Sequence, residues 1–106
     1  MEGMELICFN IISSVGMAKS SYVEAMRAAA AGNFDEAAAK IKEGDGFYAQ
    51  GHNAHSDLIA QESNGTPVTP SLLLLHAEDQ MMSSETIRLM AEENIKLYKK
   101  LSEMAN

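Results

Sequence analysis

The sequence predicts an all-α fold, an antiparallel bundle of three helices, and three observations carry that expectation. Apolar residues recur at three- and four-residue steps through most of the chain. The only two prolines, Pro67 and Pro70, fall in one short stretch, where they mark a loop rather than interrupt a helix. No segment alternates β-branched and polar residues as a half-buried strand would. At 106 residues the chain has the size of one core and not of two.

Helix one is expected over about residues 3–31. Its apolar stripe runs through Met4, Cys8, Ile11, Val15, Ala18, Tyr22, Ala25 and Ala29, which is one face of a helix. The alanines at 28–31 favour helix, and Gly32 supplies a stop. Helix two is expected over about 34–64, with Asn33 as its N-cap and Asp35 and Glu36 complementing the dipole of its first turn. Phe34, Ala38, Ile41, Tyr48, His52, His55 and Ile59 share a face at helical spacing. Gly44, Gly46 and Gly51 each cost about 1 kcal/mol relative to alanine, so Gly44-Asp45-Gly46 is the weak point of this one helix, where a bend or break is the alternative to continuity. Gly65 closes this helix, and Thr69-Pro70 opens helix three, expected over about 70–104.

Helices of this length are ~45 Å rods, far longer than the ~13 Å radius of gyration of a compact globule, so the bundle should be elongated. Helix three is apolar on more than one side: Leu72–Leu75, Met81, Met82, Ile87, Leu89, Met90, Ile95, Leu97 and Leu101 cannot all face two neighbours. Part of that surface is expected to bury against another subunit.

Composition narrows the function. Eight Lys and Arg against 15 Asp and Glu give a net charge of -7, which argues against nucleic acid or an anionic membrane and favours basic or neutral partners. A single cysteine, Cys8, excludes an internal disulfide framework and a Cys-rich zinc module, and suits the reducing cytoplasm. The Leu72–Leu75 run is far shorter than the ~20 residues of a membrane span, and Glu2 and Glu5 stand where a secretory signal carries basic residues, so neither insertion nor export is expected.

The chemistry-bearing residues cluster in helix three, where His76, Glu78, Asp79 and Gln80 separate the leucine run from Met81-Met82. His76 and Asp79, three apart, share a face, whereas Glu78 points elsewhere. Leu72, His76, Asp79, Ser83, Thr86 and Met90 form one stripe of mixed polarity. It reads equally as a solvated face or as a strip on a symmetry axis. On an axis, copies of Asp79 would repel and would need a cation or shared protons. His52 and His55 are a second one-face pair and, with His76, Glu62 and Cys8, invite a metal reading. The spacing favours hydrogen-bonded or exposed histidines instead, since no Glu-x-x-His repeat is present. Cys8, on the apolar stripe, reads as core. Phosphate-cradling glycine loops and the nucleophile elbow are absent, which leaves a helical histidine as general base, metal ligand or covalent phosphoryl acceptor.

The segment Leu74-Leu75-His76-Ala77-Glu78-Asp79-Gln80-Met81-Met82 resembles the His-Ala-Gln-Asp-His-Leu-Met signature of enzyme IIA of the lactose/cellobiose class, a component of sugar phosphotransferase systems. Upstream, His52-x-x-His55-Ser56-x-Leu58-Ile59-x-x-Glu62-Ser63-x-Gly65 is similar to that family's Ala-His-x-x-Gln-Thr-x-Leu-Ile-x-x-Glu-Ala-x-Gly. Gly32-Asn33-Phe34-Asp35-Glu36-Ala37 resembles its Gly-Asp-Phe-x-x-Ala turn, and Ile11-Ile12 with Gly16-x-Ala18-Lys19-Ser20 its first helix. The resemblance implies a three-helix bundle assembled as a homotrimer. It implies that His76 is phosphorylated by the phosphocarrier HPr and passes the group to a cysteine of enzyme IIB, and that Asp79 meets its symmetry mates around a magnesium ion. Such an ion would be structural, in keeping with hard carboxylate ligands.

Three positions depart from the family pattern: Gln80 stands where many members have a second histidine, Glu78 where many have Gln, and His55 where many have Gln. Gln80 can donate a hydrogen bond but cannot titrate, and His55 is a candidate for the missing imidazole. Met81 and Met82 read first as core and second as an adaptable docking surface. Two other functions are weighed against the carrier: a helical adaptor that has lost phosphotransfer, and a metal-storing bundle using His52, His55 and His76.

Overall fold

The computed structural model describes residues 3–105, which form three helices: α1 (Gly3–Ala30), α2 (Phe34–Ser63) and α3 (Leu72–Ala105). They run up, down and up in a bundle measuring 59 × 24 × 20 Å with a radius of gyration of 16.7 Å. α1 lies against both other helices, and α2 and α3 touch over a shorter stretch.

Local chemistry sets the ends. Gly32 and Gly65 sit at φ 84° and 89°, a left-handed backbone that a side chain disfavours. After α1, Asn33 N–H donates to Ala28 C=O (2.9 Å) and Gly32 N–H to Ala29 C=O (3.0 Å). After α2, Thr66 N–H donates to Gln61 C=O (3.2 Å) and Gly65 N–H to Glu62 C=O (3.1 Å). Both are Schellman closures, which satisfy carbonyls the helix leaves unpaired. The starts differ from expectation. Asn33 holds the N-cap position without a side-chain cap bond. α3 begins two residues after Pro70, because Ser71 is the cap: its Oγ accepts from Leu74 N–H at 3.1 Å.

The α1 stripe is the spine of the core. Cys8, Ile11, Val15, Ala18, Tyr22 and Ala25 are all fully buried. From α3, Leu74, Ala77, Met81, Ser84 and Ala91 point inward. The α2 face is rotated from the expected one. Its buried residues are Ala37, Gly44, Gly51 and Leu58, a seven-residue repeat, whereas Ala38, His52 and Ile59 are exposed. α2 is also continuous through Gly44-Asp45-Gly46. The reason is packing. A Cβ on Gly44 would lie 2.5 Å from Tyr22 Cε1, and one on Gly51 would lie 2.9 Å from Val15 Cγ1. These glycines let α2 approach α1 closely, and the contact offsets their cost in helix propensity.

Where α2 faces α3, a polar ladder runs beside the apolar contacts. His55 pairs with Glu78, the Tyr48 hydroxyl donates to Glu85, and Arg88 binds Asp45 through two bonds of 2.6 and 2.9 Å. The pairs advance along α3 as they retreat along α2, which is an antiparallel register. Asp45 also accepts from the Tyr22 hydroxyl at 2.6 Å, so one carboxylate ties all three helices. The Arg88 bond holds Asp45 below the usual carboxylate range, with help from Tyr22 and against its partial burial. A lowered folded-state pKa gives stability that is complete above the ordinary value near 4 and is lost as pH falls through the folded value. Urea melts between pH 3 and 7 should therefore show that Asp45→Asn destabilises at neutral pH, by up to about 1 kcal/mol once the solvent screening of this partly exposed pair is included, and progressively less in acid. An equal loss at every pH would reject this role.

α1 has one 18-residue window of mean hydropathy 1.2, long and apolar enough by composition to cross a membrane. The leucine run of α3 is therefore not where such a segment would be sought. In this fold the apolar stripe of α1 is spent on the core.

Candidate functional site

His76 sits in the second turn of α3 and is exposed, lining an open recess with Leu72 and Leu73. Asp79, one turn on, is exposed as well. Around them the outward face of α3 carries large apolar side chains: Leu72 is 84% exposed, Leu75 61%, Met82 65% and Leu89 58%. Leu97, Leu101 and Met104 continue it. The two methionines after the signature divide, Met81 into the core and Met82 onto this face.

Glu78 faces the other way. Its Oε1 lies 2.7 Å from His55 Nδ1, with both side chains half-buried. A two-residue step turns about 200° around a helix, so Glu78 holds His55 on the flank opposite His76. His55 is thus not placed to replace the missing second imidazole. His52 is exposed, its ring tilted against its neighbours at centroid distances of 5.9 Å from Tyr48 and 6.4 Å from His55. Burial and then the Glu85 bond push the Tyr48 hydroxyl up to about 12. Beneath the ladder Cys8 is fully buried, and burial followed by the charge of Glu78 raises its thiol pKa, which disfavours a nucleophilic thiolate.

Gln80 stands one turn after His76 on the same side of α3, and its Oε1 accepts from Lys19 Nζ at 2.5 Å. Sequence reasoning placed Lys19 only in the first-helix motif and missed this contact, which pairs residues 61 apart. Among the described residues no group of three His, Cys, Asp or Glu side chains converges as a metal site within one chain. The histidines do not form a common cluster: His52 and His55 lie along the α2–α3 seam, and His76 lies on the open face. A wider recess of ≈ 670 Å³ lies between α1 and α2, where Lys40 is already paired with Glu24 (2.9 Å) and Glu43 (3.3 Å).

Residues 6–99 match the family model described as PTS system, Lactose/Cellobiose specific IIA subunit. The chain belongs to this family. As an enzyme IIA of the lactose/cellobiose class, it is a phosphotransferase-system component acting in sugar transport. It is 37% identical over 102 residues to the lichenan-specific phosphotransferase enzyme IIA component of Bacillus subtilis, covering 96% of this chain and 93% of that one. It is 32% identical over 99 residues to the lactose-specific EIIA component of Staphylococcus aureus, covering 93% and 96%. The crystal structure of the cellobiose-specific enzyme IIA from Bacillus anthracis superposes with a TM-score of 0.92 at 33% identity, over 97% of this chain and 95% of that one. The family assignment agrees with the three-helix architecture of this enzyme IIA.

Proposed function

We propose that this enzyme IIA is a cytoplasmic phosphoryl carrier in which His76 takes a phosphoryl group from phospho-HPr and gives it to a cysteine of its enzyme IIB, for uptake of a β-linked disaccharide. The observation that carries this reading is an exposed imidazole, in the family's signature, at the rim of an open recess. Reagents must reach this nitrogen from outside, and on α3 they can. A neutral ring nitrogen of His76 attacks phosphorus as the nitrogen–phosphorus bond to HPr breaks; the departing HPr ring takes up one proton and the His76 ring, left cationic by the new bond, gives one up, so both rings end neutral. In the second transfer a thiolate of enzyme IIB attacks, and His76 is released as it began. The net charge of -7 steers this protein toward basic surfaces on both partners. Incubation with enzyme I, HPr and phosphoenolpyruvate should add one phosphoryl group per chain; no addition would reject the reading.

The assembly that fits this site is a homotrimer packed around Asp79 on the outward face of α3, with His76, about 60° round the helix from Asp79, left at the open edge of that contact. A single chain leaves that face's leucines and methionines in water, which is a surface of the kind subunits bury. Asp79 lies on it, so an axis along α3 gathers three carboxylates. Two carboxylates 4 Å apart repel by about 4 kcal/mol at an effective permittivity of 20, and a magnesium ion held by the Asp79 side chains would neutralise them. The ion's role is structural, and the phosphoryl group does not pass through it. Sedimentation gives the test. Chelation should weaken the wild-type trimer, whereas Asp79→Asn should stay trimeric with or without chelator. A trimer equally insensitive to chelation in both proteins would remove the ion from the account.

A further inference from the structure

A phosphorylated imidazole carries up to about two negative charges, and such a group needs donors and a countercharge. The half of the bundle that holds His76 is poor in countercharge. Lys19 is the only Lys or Arg in residues 1–26, and residues 43–87 contain none. Glu5, Asp57, Glu62, Glu78, Asp79 and Glu85 add negative charge at the same end. The free amides of the first turn of α3 do not compensate, because His76 lies beyond it.

Lys19 is aimed at this problem. It lines a groove with Ile87, yet its Nζ meets Gln80, seven residues earlier on α3, so the side chain runs toward the His76 end. An ammonium group can only donate. Gln80 must therefore turn its Oε1 to Lys19, and this fixes which way the amide faces: the Nε2 hydrogens are left for another acceptor. His76, four residues before Gln80, has its Cβ about 5–6 Å away on the same side of the helix.

We propose that Lys19 is a positioning residue for the phosphorylated form of His76: it fixes the Gln80 amide so that Nε2 donates to the phosphoryl group, and its charge offsets that group. Gln80 thereby does with an amide what a second imidazole would do as a donor, without a proton to titrate. This inference rests on the carrier reading of His76.

The test is the phosphotransfer equilibrium with HPr and the phosphorus chemical shift of the phosphoprotein, compared across wild type, Lys19→Met, Lys19→Arg, Gln80→Ala and the Lys19→Met/Gln80→Ala double variant. Methionine keeps the aliphatic stem, and melting curves establish that each variant is folded. Loss of a charge-assisted contact should shift the equilibrium against this protein by roughly tenfold in Lys19→Met and should move the phosphorus resonance. Lys19→Arg should restore most of it. Because both residues act through one contact, the double variant should lose little more than either single one. An unmoved equilibrium and resonance in Lys19→Met, or simply additive losses, overturns this inference and leaves the carrier reading standing. A wild-type chain that accepts no phosphoryl group overturns both.

Discussion

Replacing His76 by alanine is expected to reduce phosphoryl acceptance from HPr to background while leaving the fold unchanged. The side chain is exposed on α3 and takes part in none of the three core clusters, so its loss opens no cavity. His52→Ala and His55→Ala should still accept the group. His55 sits in a hydrogen-bonded pair with Glu78 on the flank away from His76, and its removal should instead lower stability by about 1 kcal/mol. Radiolabel transfer from phosphoenolpyruvate through HPr measures all three. A label that survives His76→Ala and disappears with His55 would move the chemistry to the α2–α3 seam. An adaptor without phosphotransfer would show no label in any variant, and a metal-storing bundle would bind metal in proportion to its histidines.

Gly44→Ala should destabilise the protein although alanine is the better helix former. The added Cβ meets three atoms of the Tyr22 ring at 2.5, 2.8 and 3.0 Å. That ring cannot easily yield: it is fully buried, and its hydroxyl is bound to Asp45. Burial, and then Asp45, hold the hydroxyl far above the ordinary tyrosine range, so the ring stays neutral. Overpacking of this kind costs about 1–3 kcal/mol, more than the ~1 kcal/mol gained in helix propensity. The expected net loss is up to about 2 kcal/mol, or at most roughly 16 °C in Tm at fixed protein concentration. Gly46→Ala is the matched control, because a Cβ there meets open space and should stabilise by up to about 1 kcal/mol. Equal effects of the two substitutions would contradict the packing account of α2.

The same glycines show why parts of the fold were legible in the sequence and others were not. α1 could be read residue by residue because its core face is built from apolar side chains, and hydrophobic periodicity detects those. The core face of α2 is Ala37, Gly44, Gly51 and Leu58. Two of these four have no side chain, so periodicity settled on the larger residues beside them and rotated the face toward His52 and Ile59. The weak point read at Gly44-Asp45-Gly46 has the same origin, since propensity registers the cost of a glycine and not the close approach it permits. At the start of α3, Thr69-Pro70 fits the pattern of a cap followed by proline, yet the cap bond from Leu74 falls to Ser71.

In the site, spacing within one helix was enough to set His76 and Asp79 on one face and Glu78 on another. Partners across helices were beyond it. Lys19 with Gln80, His55 with Glu78 and Asp45 with Arg88 depend on the register of neighbouring helices, which no local pattern encodes. The departures from the family signature at Gln80, Glu78 and His55 were visible in the sequence, but their consequences required those pairings. Glu78 and His55 are partners of each other, and Gln80 is a partner of Lys19.

The chain has only three histidines, so their ring signals can be followed individually by nitrogen-resolved NMR before and after phosphorylation by HPr. The account predicts that one ring, His76, acquires a nitrogen–phosphorus bond while the rings of His52 and His55 remain unphosphorylated. Phosphorus on His52 or His55, or on no ring at all after complete turnover of the donor, would contradict it.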